Sequence, residues 1–397
     1  MSTSEVREAP GDSFPVVNTH VHFPPNFSAF GTVADAIDAA VREGVSAVGI
    51  SNFFDQQVYA RFAEQAVAAG VVPLYGLEFI TLDDDLAAAG IRVNDPANPG
   101  RMYLCGKGIA PFRRKSGDAA RIAASIRSGN DARAAEMVAK LSDWFATCGL
   151  DTGLSAEVIA RDVAAAADVP VEWVSLQERH VAMAFQRVLA GLPADERAAV
   201  LERAYGGPSK VDIDDAVALQ GELRSRLIKV GTPGFVAEVP LGFADAYRYV
   251  LELDGIPTYP TLADGTSPVC PFEDPPERLA AQLAERGIHA AELIPLRNTS
   301  ACVDAYVKAF TDAGMIVMAG TEHNTLDRIP IEVACADGPV SAYARKAFWE
   351  ATCVVAAHQH EVAAGRPGYV DRAGTRTPIP TAALVQLGSQ LITKENR

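Results

Sequence analysis

Two histidines separated by one residue, in the stretch Asn18-Thr19-His20-Val21-His22, are the strongest chemical signal in this sequence. They follow the apolar pair Val16 and Val17, which predicts that a buried strand ends there. Side chains alternate along a strand, so both imidazoles point the same way. Two converging neutral imidazoles form half of a transition-metal site, and one or two carboxylates complete a hydrolytic centre. A pair of ordinary strand histidines is the alternative.

The chain must then supply a scaffold that brings carboxylates to this strand end. Apolar runs predict seven strands, at 16–22, 45–51, 71–80, 101–109, 255–260, 288–294 and 315–320. Amphipathic stretches between these runs predict helices. Strands that alternate with helices at this spacing indicate a parallel sheet, and seven of them indicate a closed or nearly closed barrel. The predicted fold class is therefore α/β, a distorted seven-stranded (βα)7 TIM-like barrel with a helical insertion.

The insertion is residues 112–235, which interrupt the alternation. This segment is rich in Ala, Arg, Glu and Asp, has helical periodicity and offers no convincing strand. An insertion that leaves the carboxyl end of a barrel strand lies over the mouth, so we expect either a lid or a helical decoration that enlarges the core or an oligomer contact. The predicted organisation is a barrel in two parts, 1–111 and 236–370, with the insertion between them and a surface tail at 371–397.

The composition and charge of the chain limit the classes of molecule that it is expected to bind. The chain has 397 residues, 49% of them hydrophobic, which is enough to bury a large core. A formal net charge of -15, with no basic run longer than Arg113-Arg114-Lys115, argues against nucleic acid or anionic membrane as a partner and favours a small-molecule substrate. The six cysteines are scattered and no apolar leader or stretch of about 20 residues occurs. We expect a cytoplasmic protein without disulfides, and homo-oligomerisation stays open.

Three motifs give the sequence a family resemblance. They are His20-Val21-His22 on the first predicted strand, Gly76-Leu77-Glu78 on the third and Gly320-Thr321-Glu322-His323-Asn324 after the seventh. Their order and the strand spacing resemble the polymerase and histidinol phosphatase (PHP) domain family, over about residues 1–111 and 236–350. Members of that family are distorted seven-stranded barrels that hold up to three metal ions at the carboxyl mouth. The chain looks like a divergent branch of it.

The resemblance implies a reduced metal site. One family metal is held at positions that here are His20, His22, Glu78 and Glu322. The last of these is usually Asp, so Glu322 adds a methylene. The histidine positions of the second and third metals are substituted, at Leu104 and near Thr261, and near Ser28, near Phe53 and at Asn324. We therefore expect one divalent metal ion, Mn, Zn or Fe, rather than three.

A single ion changes the expected chemistry. Clustered metals suit phosphate esters because they neutralise the phosphoryl group while generating hydroxide. One Lewis-acidic ion better suits a sugar, sugar acid or lactone, through a metal-activated water or a polarised carbonyl. The predicted function is a metal-dependent hydrolase acting on such a substrate. The alternatives are a PHP-type phosphoesterase, a sugar isomerase or lyase, and a degraded barrel that acts as a non-catalytic binding module.

Further residues are candidates for the pocket. Asp264, in the loop after the fifth strand, is either a general base or a turn residue. Glu292 lies among apolar neighbours and needs a partner, because an unpaired buried carboxylate is costly. Arg297 is either that partner or a group that binds a substrate carboxylate. Cys105 is expected to face away from the site as a buried small hydrophobe, and Lys107, between two glycines, marks a tight strand exit.

The insertion supplies the remaining candidates. His180 either enters the pocket from a lid helix as a catalytic group or is structural, and Lys229 either reaches the mouth or is an exposed helix-end lysine. The predicted catalytic residues are thus Asp264, His180 and Glu292. The predicted substrate-binding residues are Arg297, Asn298, Lys229, Arg179, Tyr259 and Asn324.

Overall fold

The computed structural model describes residues 14–54 and 56–395. The strands are β1 (Val16–Val21), β2 (Val45–Phe53), β3 (Val72–Leu82), β4 (Arg101–Lys107), β5 (Leu241–Gly242), β6 (Ile256–Thr261), β7 (Ala290–Leu293), β8 (Ile316–Ala319), β9 (Ala334–Cys335) and β10 (Gly338–Pro339). The helices are α1 (Val33–Arg42), α2 (Tyr59–Ala68), α3 (Asp84–Ala88), α4 (Gly117–Thr147), α5 (Ala156–Ala167), α6 (Glu178–Ala190), α7 (Ala194–Tyr205), α8 (Ala216–Leu223), α9 (Phe243–Glu252), α10 (Pro276–Glu285), α11 (Ser300–Asp312), α12 (Ala342–Ala363) and α13 (Thr381–Glu395).

The main sheet curves into a nearly closed barrel, as the sequence predicted. Its strand order is β1-β2-β3-β4-β6-β7-β8, and the two-residue β5 pairs with the end of β3. The segment after β8 returns to β1 through a parallel bridge between Val21 and Glu322. There the amide of His22 donates to the carbonyl of Glu322 at 2.8 Å. The predicted α/β, TIM-like fold class is confirmed, and the barrel closes beside the two histidines.

The prediction of a wholly parallel sheet is wrong for β4, which runs antiparallel to both β3 and β6. Parallel neighbours need a crossover connection, usually a helix that packs on the sheet. The connection from β3 contains the five-residue α3 and turns back at Gly100 instead. Gly100 has a φ of 72°, and a Cβ atom there would lie 2.4 Å from Cβ of Ala87. This tight return reverses the chain direction of β4.

Helices cover the outer face of the barrel. The sheet's outward side chains and the helices form one hydrophobic core, to which Phe62 of α2, Tyr249 of α9 and Phe310 of α11 contribute fully buried rings. Helix α1 begins with a capping box between Thr32 and Asp35, which satisfies two backbone amides of its first turn. Among the described helices, none combines the length and the apolar character that crossing a bilayer requires.

The helices between β4 and β5 have a hydrophobic core of their own. It includes Leu141 and Phe145 of α4, Phe185 of α6 and Leu201 of α7. The first turns of α4 pack in the barrel core instead, through Ala119 and Ile122. The long α4 therefore connects the two cores.

The segment predicted as a surface tail contains α13, which packs against α12 and the barrel. Leu384 and Ile392 are buried in a cluster that also holds Cys353 of α12. The helices approach so closely at Gly388 that a Cβ atom there would lie 1.8 Å from the carbonyl oxygen of Cys353. Small residues at such a crossing let the backbones meet, so this part of the tail belongs to the folded body.

Candidate metal centre

His20 and His22 lie at the end of β1, where it meets the segment after β8. Their Nε2 atoms are 3.4 Å apart, and each residue is 1% exposed. The carbonyl of His20 accepts hydrogen bonds from the amides of Thr321 and Glu322. Gly320 permits this approach, because a Cβ atom on it would lie 2.2 Å from Cβ of His20. The close fit of these two segments fixes the backbone that carries the imidazoles.

Glu78, on β3, brings a carboxylate to both imidazoles. Its oxygens lie 3.5 Å from Nε2 of His20 and 3.4 Å from Nε2 of His22. One potential ligand atom from each residue falls within 4.8 Å of the other two. Burial, and then His20, lower the pKa of His22 to about 3, so that ring is neutral. Burial and the charge of Glu322 raise the pKa of Glu78. Two imidazoles and a carboxylate are a donor set that divalent transition metals prefer.

Glu292, on β7, holds His20 in place from behind. Its Oε2 atom lies 2.6 Å from Nδ1 of His20, and its Oε1 accepts a hydrogen bond from the Thr19 hydroxyl at 2.7 Å. Burial alone would raise the pKa of Glu292, but Lys107 and His20 together lower it to about 2. The ionised carboxylate therefore accepts a hydrogen bond from Nδ1 of His20, which keeps the ring proton on that nitrogen. This leaves the lone pair of Nε2 directed toward Glu78 and His22, as in metal-binding histidines whose other ring nitrogen donates to a carboxylate.

The buried partner of Glu292 is Lys107, rather than Arg297. Nζ of Lys107 lies 2.8 Å from Oε1 of Glu292 and also donates to the Thr19 carbonyl at 2.8 Å and the Ser51 hydroxyl at 2.7 Å. The sequence predicts only a tight strand exit at Lys107, and the structure places the residue inside the site. Because β4 is antiparallel, its last residue lies opposite Gly76 in the lower part of β3, and its side chain fills the barrel beneath the histidines.

The same register overturns the expectation for Cys105. Cys105 lies opposite Glu78, and its Sγ falls within 4.8 Å of ligand atoms of His20 and Glu292. Leu104 packs in the outer core instead. The alternation along β4 was as expected, but the face that points inward is the other one. Burial raises the pKa of Cys105 well above its ordinary value, which keeps it a thiol.

Glu322 lies beside this group and binds other partners. Its carboxylate pairs with both terminal nitrogens of Arg297, at 2.8 Å for Nη1, and accepts a hydrogen bond from Nδ2 of Asn324 at 2.6 Å. Burial would raise the pKa of Glu322, but Arg297 lowers it. Glu322 is thus an ionised group close to the histidines. Its predicted role as a fourth ligand stays a prediction, since Arg297 occupies both of its oxygens.

Three other predicted site residues make structural contacts. The carboxylate of Asp264 accepts from the amide and hydroxyl of Thr299, which precedes α11. Nδ2 of Asn298 donates to the carbonyl of Ile294 at 3.0 Å. The fully buried Tyr259 donates its hydroxyl to Glu273 at 2.8 Å. None of the contacts described for these three side chains reaches His20 or His22.

The start of α6 brings the insertion to the loop that follows His22. The amide of Phe27 donates to Oε1 of Gln177 at 2.6 Å, and the ring of His180 contacts the Phe27 ring edge-on at 5.2 Å between centroids. Nδ1 of His180 accepts from the Gln177 amide at 3.0 Å, and burial lowers its pKa to about 3. Lys229 forms a salt bridge with Glu178 at 2.7 Å. The insertion therefore touches the mouth, and a lid role stays a prediction.

Sequence reasoning missed Lys107 and Tyr103 as interior residues. Both lie on the face of β4 that carries Cys105, and the charges of Glu78 and Glu322 act on the Tyr103 hydroxyl. The alternation Tyr103-x-Cys105-x-Lys107 in a buried strand was the available signal. A period-two row of polar groups marks an inward face as clearly as an apolar row marks an outward one.

Comparisons with known proteins establish the fold of the chain. No protein-family model matches it, and no curated protein matches its sequence. A crystal structure of a provisionally assigned metal-dependent phosphoesterase from Bifidobacterium adolescentis has a TM-score of 0.57 at 12% identity, covering 84% of this chain and 96% of that one. An amidohydrolase from Chromobacterium violaceum, with bound sulfate and no metal, has a TM-score of 0.51 at 17% identity, covering 77% and 86%. The barrel architecture is shared with these proteins.

Proposed function

We propose that this protein is a metal-dependent hydrolase whose divalent ion is bound by His20, His22 and Glu78. The observation that carries the proposal is the convergence of the two Nε2 atoms on the Glu78 carboxylate, with His20 turned toward it by Glu292. The names of the two structural neighbours, a metal-dependent phosphoesterase and an amidohydrolase, support a hydrolase. Membership of the PHP family, in a branch with one metal, is part of this proposal.

The arrangement of charged side chains around the site leaves one carboxylate that a bound cation would neutralise. Three carboxylates, those of the buried Glu78 and Glu292 and of the partly exposed Glu322, face two cations, Lys107 and Arg297. Lys107 pairs with Glu292 and Arg297 pairs with Glu322, so the nearest partners of Glu78 are two imidazoles rather than a permanent cation. Burying a carboxylate without a cation is costly. A divalent ion such as Mn, Zn or Fe would remove that cost.

The chain's own residues prepare the site for chemistry. A bound divalent ion supplies Lewis acidity and lowers the pKa of a coordinated water. Glu292 keeps the proton of His20 on Nδ1, and Lys107 keeps Glu292 ionised. Phe27, in the loop that follows His22, is buried and packs against His180 of the insertion. The carboxylate of Asp264 already accepts a hydrogen bond from the Thr299 hydroxyl, so we assign no proton transfer to Asp264.

The proposed substrate is a small polar molecule such as a sugar, sugar acid or lactone, because a single ion suits a carbonyl better than a phosphate ester. Phosphoester hydrolysis is the second candidate. It is favoured by the assignment of the Bifidobacterium protein and by the sulfate in the Chromobacterium structure. Isomerase and lyase chemistry use similar Lewis acids and are the further alternatives.

Metal analysis of protein purified without chelator tests the proposal. We expect about one Mn, Zn or Fe per chain, lost in His20→Ala and retained in the matched control His360→Ala, whose side chain is exposed on α12. The metal-loaded protein is then assayed against phosphate esters, lactones and sugar acids. Hydrolysis of one class that requires His20 identifies the reaction. A chain that binds no metal and hydrolyses none of them would instead be a binding module.

A further inference from the structure

Arg179, the second residue of α6, makes no hydrogen bond or salt bridge within residues 14–54 and 56–395. Its guanidinium lies 6.0 Å from the ring centroid of Phe27. The backbone amide of Phe27 donates to Gln177 of the insertion at the barrel mouth. The side chain is partly buried. A partly buried guanidinium without an anion is costly, and arginine's five donors are normally used when water is displaced from it.

The neighbours of Arg179 explain why it has no partner in the chain. The adjacent carboxylate, Glu178, already pairs with Arg133 at 3.7 Å, Arg224 at 2.8 Å and Lys229 at 2.7 Å. Arg179 is therefore the fourth cation around one carboxylate. Burial and the charge of Arg224 lower its pKa to about 10, which leaves it charged at neutral pH. In a chain with a net charge of -15, this end of the insertion carries concentrated positive charge.

Arg179 faces the barrel mouth. On the barrel side, Tyr103 lies on the inward face of β4, two residues from Cys105, which is opposite Glu78. Glu322, at the end of the barrel beside the histidines, raises the pKa of Arg179. Tyr103 is fixed there because its backbone amide donates to Oδ1 of Asn94 at 2.8 Å and its carbonyl accepts from Nδ2 of Asn94 at 3.2 Å. Among the described residues its hydroxyl has no hydrogen-bond partner. Burial raises the pKa of Tyr103 above its ordinary value, so the hydroxyl is a permanent donor.

We propose that Arg179 and Tyr103 form a subsite that binds an anionic group of the substrate, a carboxylate or a phosphate, beside the metal centre. Arg179 offers two parallel N–H donors, the geometry that oxyanions accept, and Tyr103 offers a third donor from the barrel side. Arg297, the other guanidinium at the mouth, is already paired with Glu322. The inference rests on the proposed function, and it makes the insertion the element that selects an anionic substrate.

Calorimetric titration of the full chain with inorganic phosphate and, separately, malonate tests the subsite. Both the metal-loaded protein and protein stripped by chelator are titrated. We expect Arg179→Ala to raise the Kd of the preferred anion about tenfold or more, and Arg179→Lys and Tyr103→Phe to raise it about threefold. Arg187→Ala, an exposed arginine of the same helix, and Tyr306→Phe, a buried tyrosine that donates to a backbone carbonyl, should leave the Kd unchanged.

The two probes and the two metal states separate the outcomes. Preference for phosphate or for malonate names the anionic group. Binding that depends on Arg179 in the stripped protein supports the subsite even if the chain proves to have no hydrolase activity. The subsite is overturned if wild type binds neither probe, or if Arg179→Ala and Arg179→Lys bind both as wild type does. In that case, metal-dependent hydrolysis would still stand by itself.

Discussion

Nδ1 of His20 lies 2.6 Å from a carboxylate oxygen of Glu292, and the two residues are 272 positions apart in the chain. This contact joins the first and the penultimate barrel strands inside the closed barrel. It favours one tautomer of His20, because an ionised carboxylate accepts a hydrogen bond from a proton held on Nδ1 and so leaves Nε2 as the nitrogen with the free lone pair. The direction in which the His20 lone pair points therefore depends on Glu292, on the other side of the ring.

Replacing that residue tests the dependence. Glu292→Gln should weaken metal affinity about 10- to 100-fold, because the amide cannot fix the His20 tautomer while also accepting from Lys107. Competition with a chromogenic chelator measures the affinity. Glu285→Gln, an exposed change on α10, is the matched control. Unchanged affinity in Glu292→Gln would mean that the ring is oriented by its backbone alone.

Glu78→Gln should abolish hydrolysis and weaken metal binding, with little loss of folding. The change is nearly isosteric but removes the anionic ligand, and it relieves a buried carboxylate whose pKa is raised. In metal-free protein the free energy of unfolding should stay the same or increase. Denaturant unfolding with and without metal, together with turnover, measures this. If Glu78→Gln retained its turnover, Glu78 would not be a ligand of the catalytic metal.

Lys107→Met should destabilise the protein by about 3–5 kcal/mol, because it leaves Glu292 buried without its cation. The double variant Lys107→Met/Glu292→Gln should recover a large part of that loss, since it removes both charges. Urea unfolding of the single and double variants gives the coupling free energy. Additive effects of the two changes would show that the pair does not act as a unit.

His180→Ala and Lys229→Ala test the insertion as a lid. His180 caps the turn that holds Phe27 through Gln177, so its loss should alter kcat or KM on the substrate identified above while metal content is unchanged. Lys229→Ala should have a smaller effect, because Glu178 keeps two further cations. Normal kinetics in both variants would leave the lid without a chemical role.

The buried Glu273 gives a pH-dependent prediction. Burial raises its pKa from 4.5 to about 7, even though Tyr259 and two backbone amides donate to it. The unfolded chain therefore loses this proton first as the pH rises. The free energy of unfolding of wild type, relative to Glu273→Gln, should fall by up to about 3 kcal/mol between about pH 4.5 and pH 7 and then level off. Glu277→Gln, an exposed change nearby, should give no such slope. A pH-independent difference for Glu273→Gln would contradict the raised pKa.

Local patterns in the sequence located part of this site. A strand period of two places His20 and His22 on one face, and apolar runs separated by amphipathic stretches predict the barrel, including its helical insertion. Glu78 is what the resemblance to the PHP family implies, from motifs spread along the chain. The strand and helix patterns depend on residues within a few positions of each other, so they can be recognised without the fold.

The partnerships of the charged residues were decided by the tertiary structure. Glu292 visibly needed a partner, but the nearby Arg297 pairs with Glu322 and the distant Lys107 fills the role. That outcome follows from the reversal of β4, which a tight return at Gly100 imposes and which points Tyr103, Cys105 and Lys107 inward. A buried charged group is stable only beside a group of opposite charge, so its partner is the one that lies nearest in space. Distance in space is set by strand direction and register, and neither is encoded in the local spacing of the residues that meet.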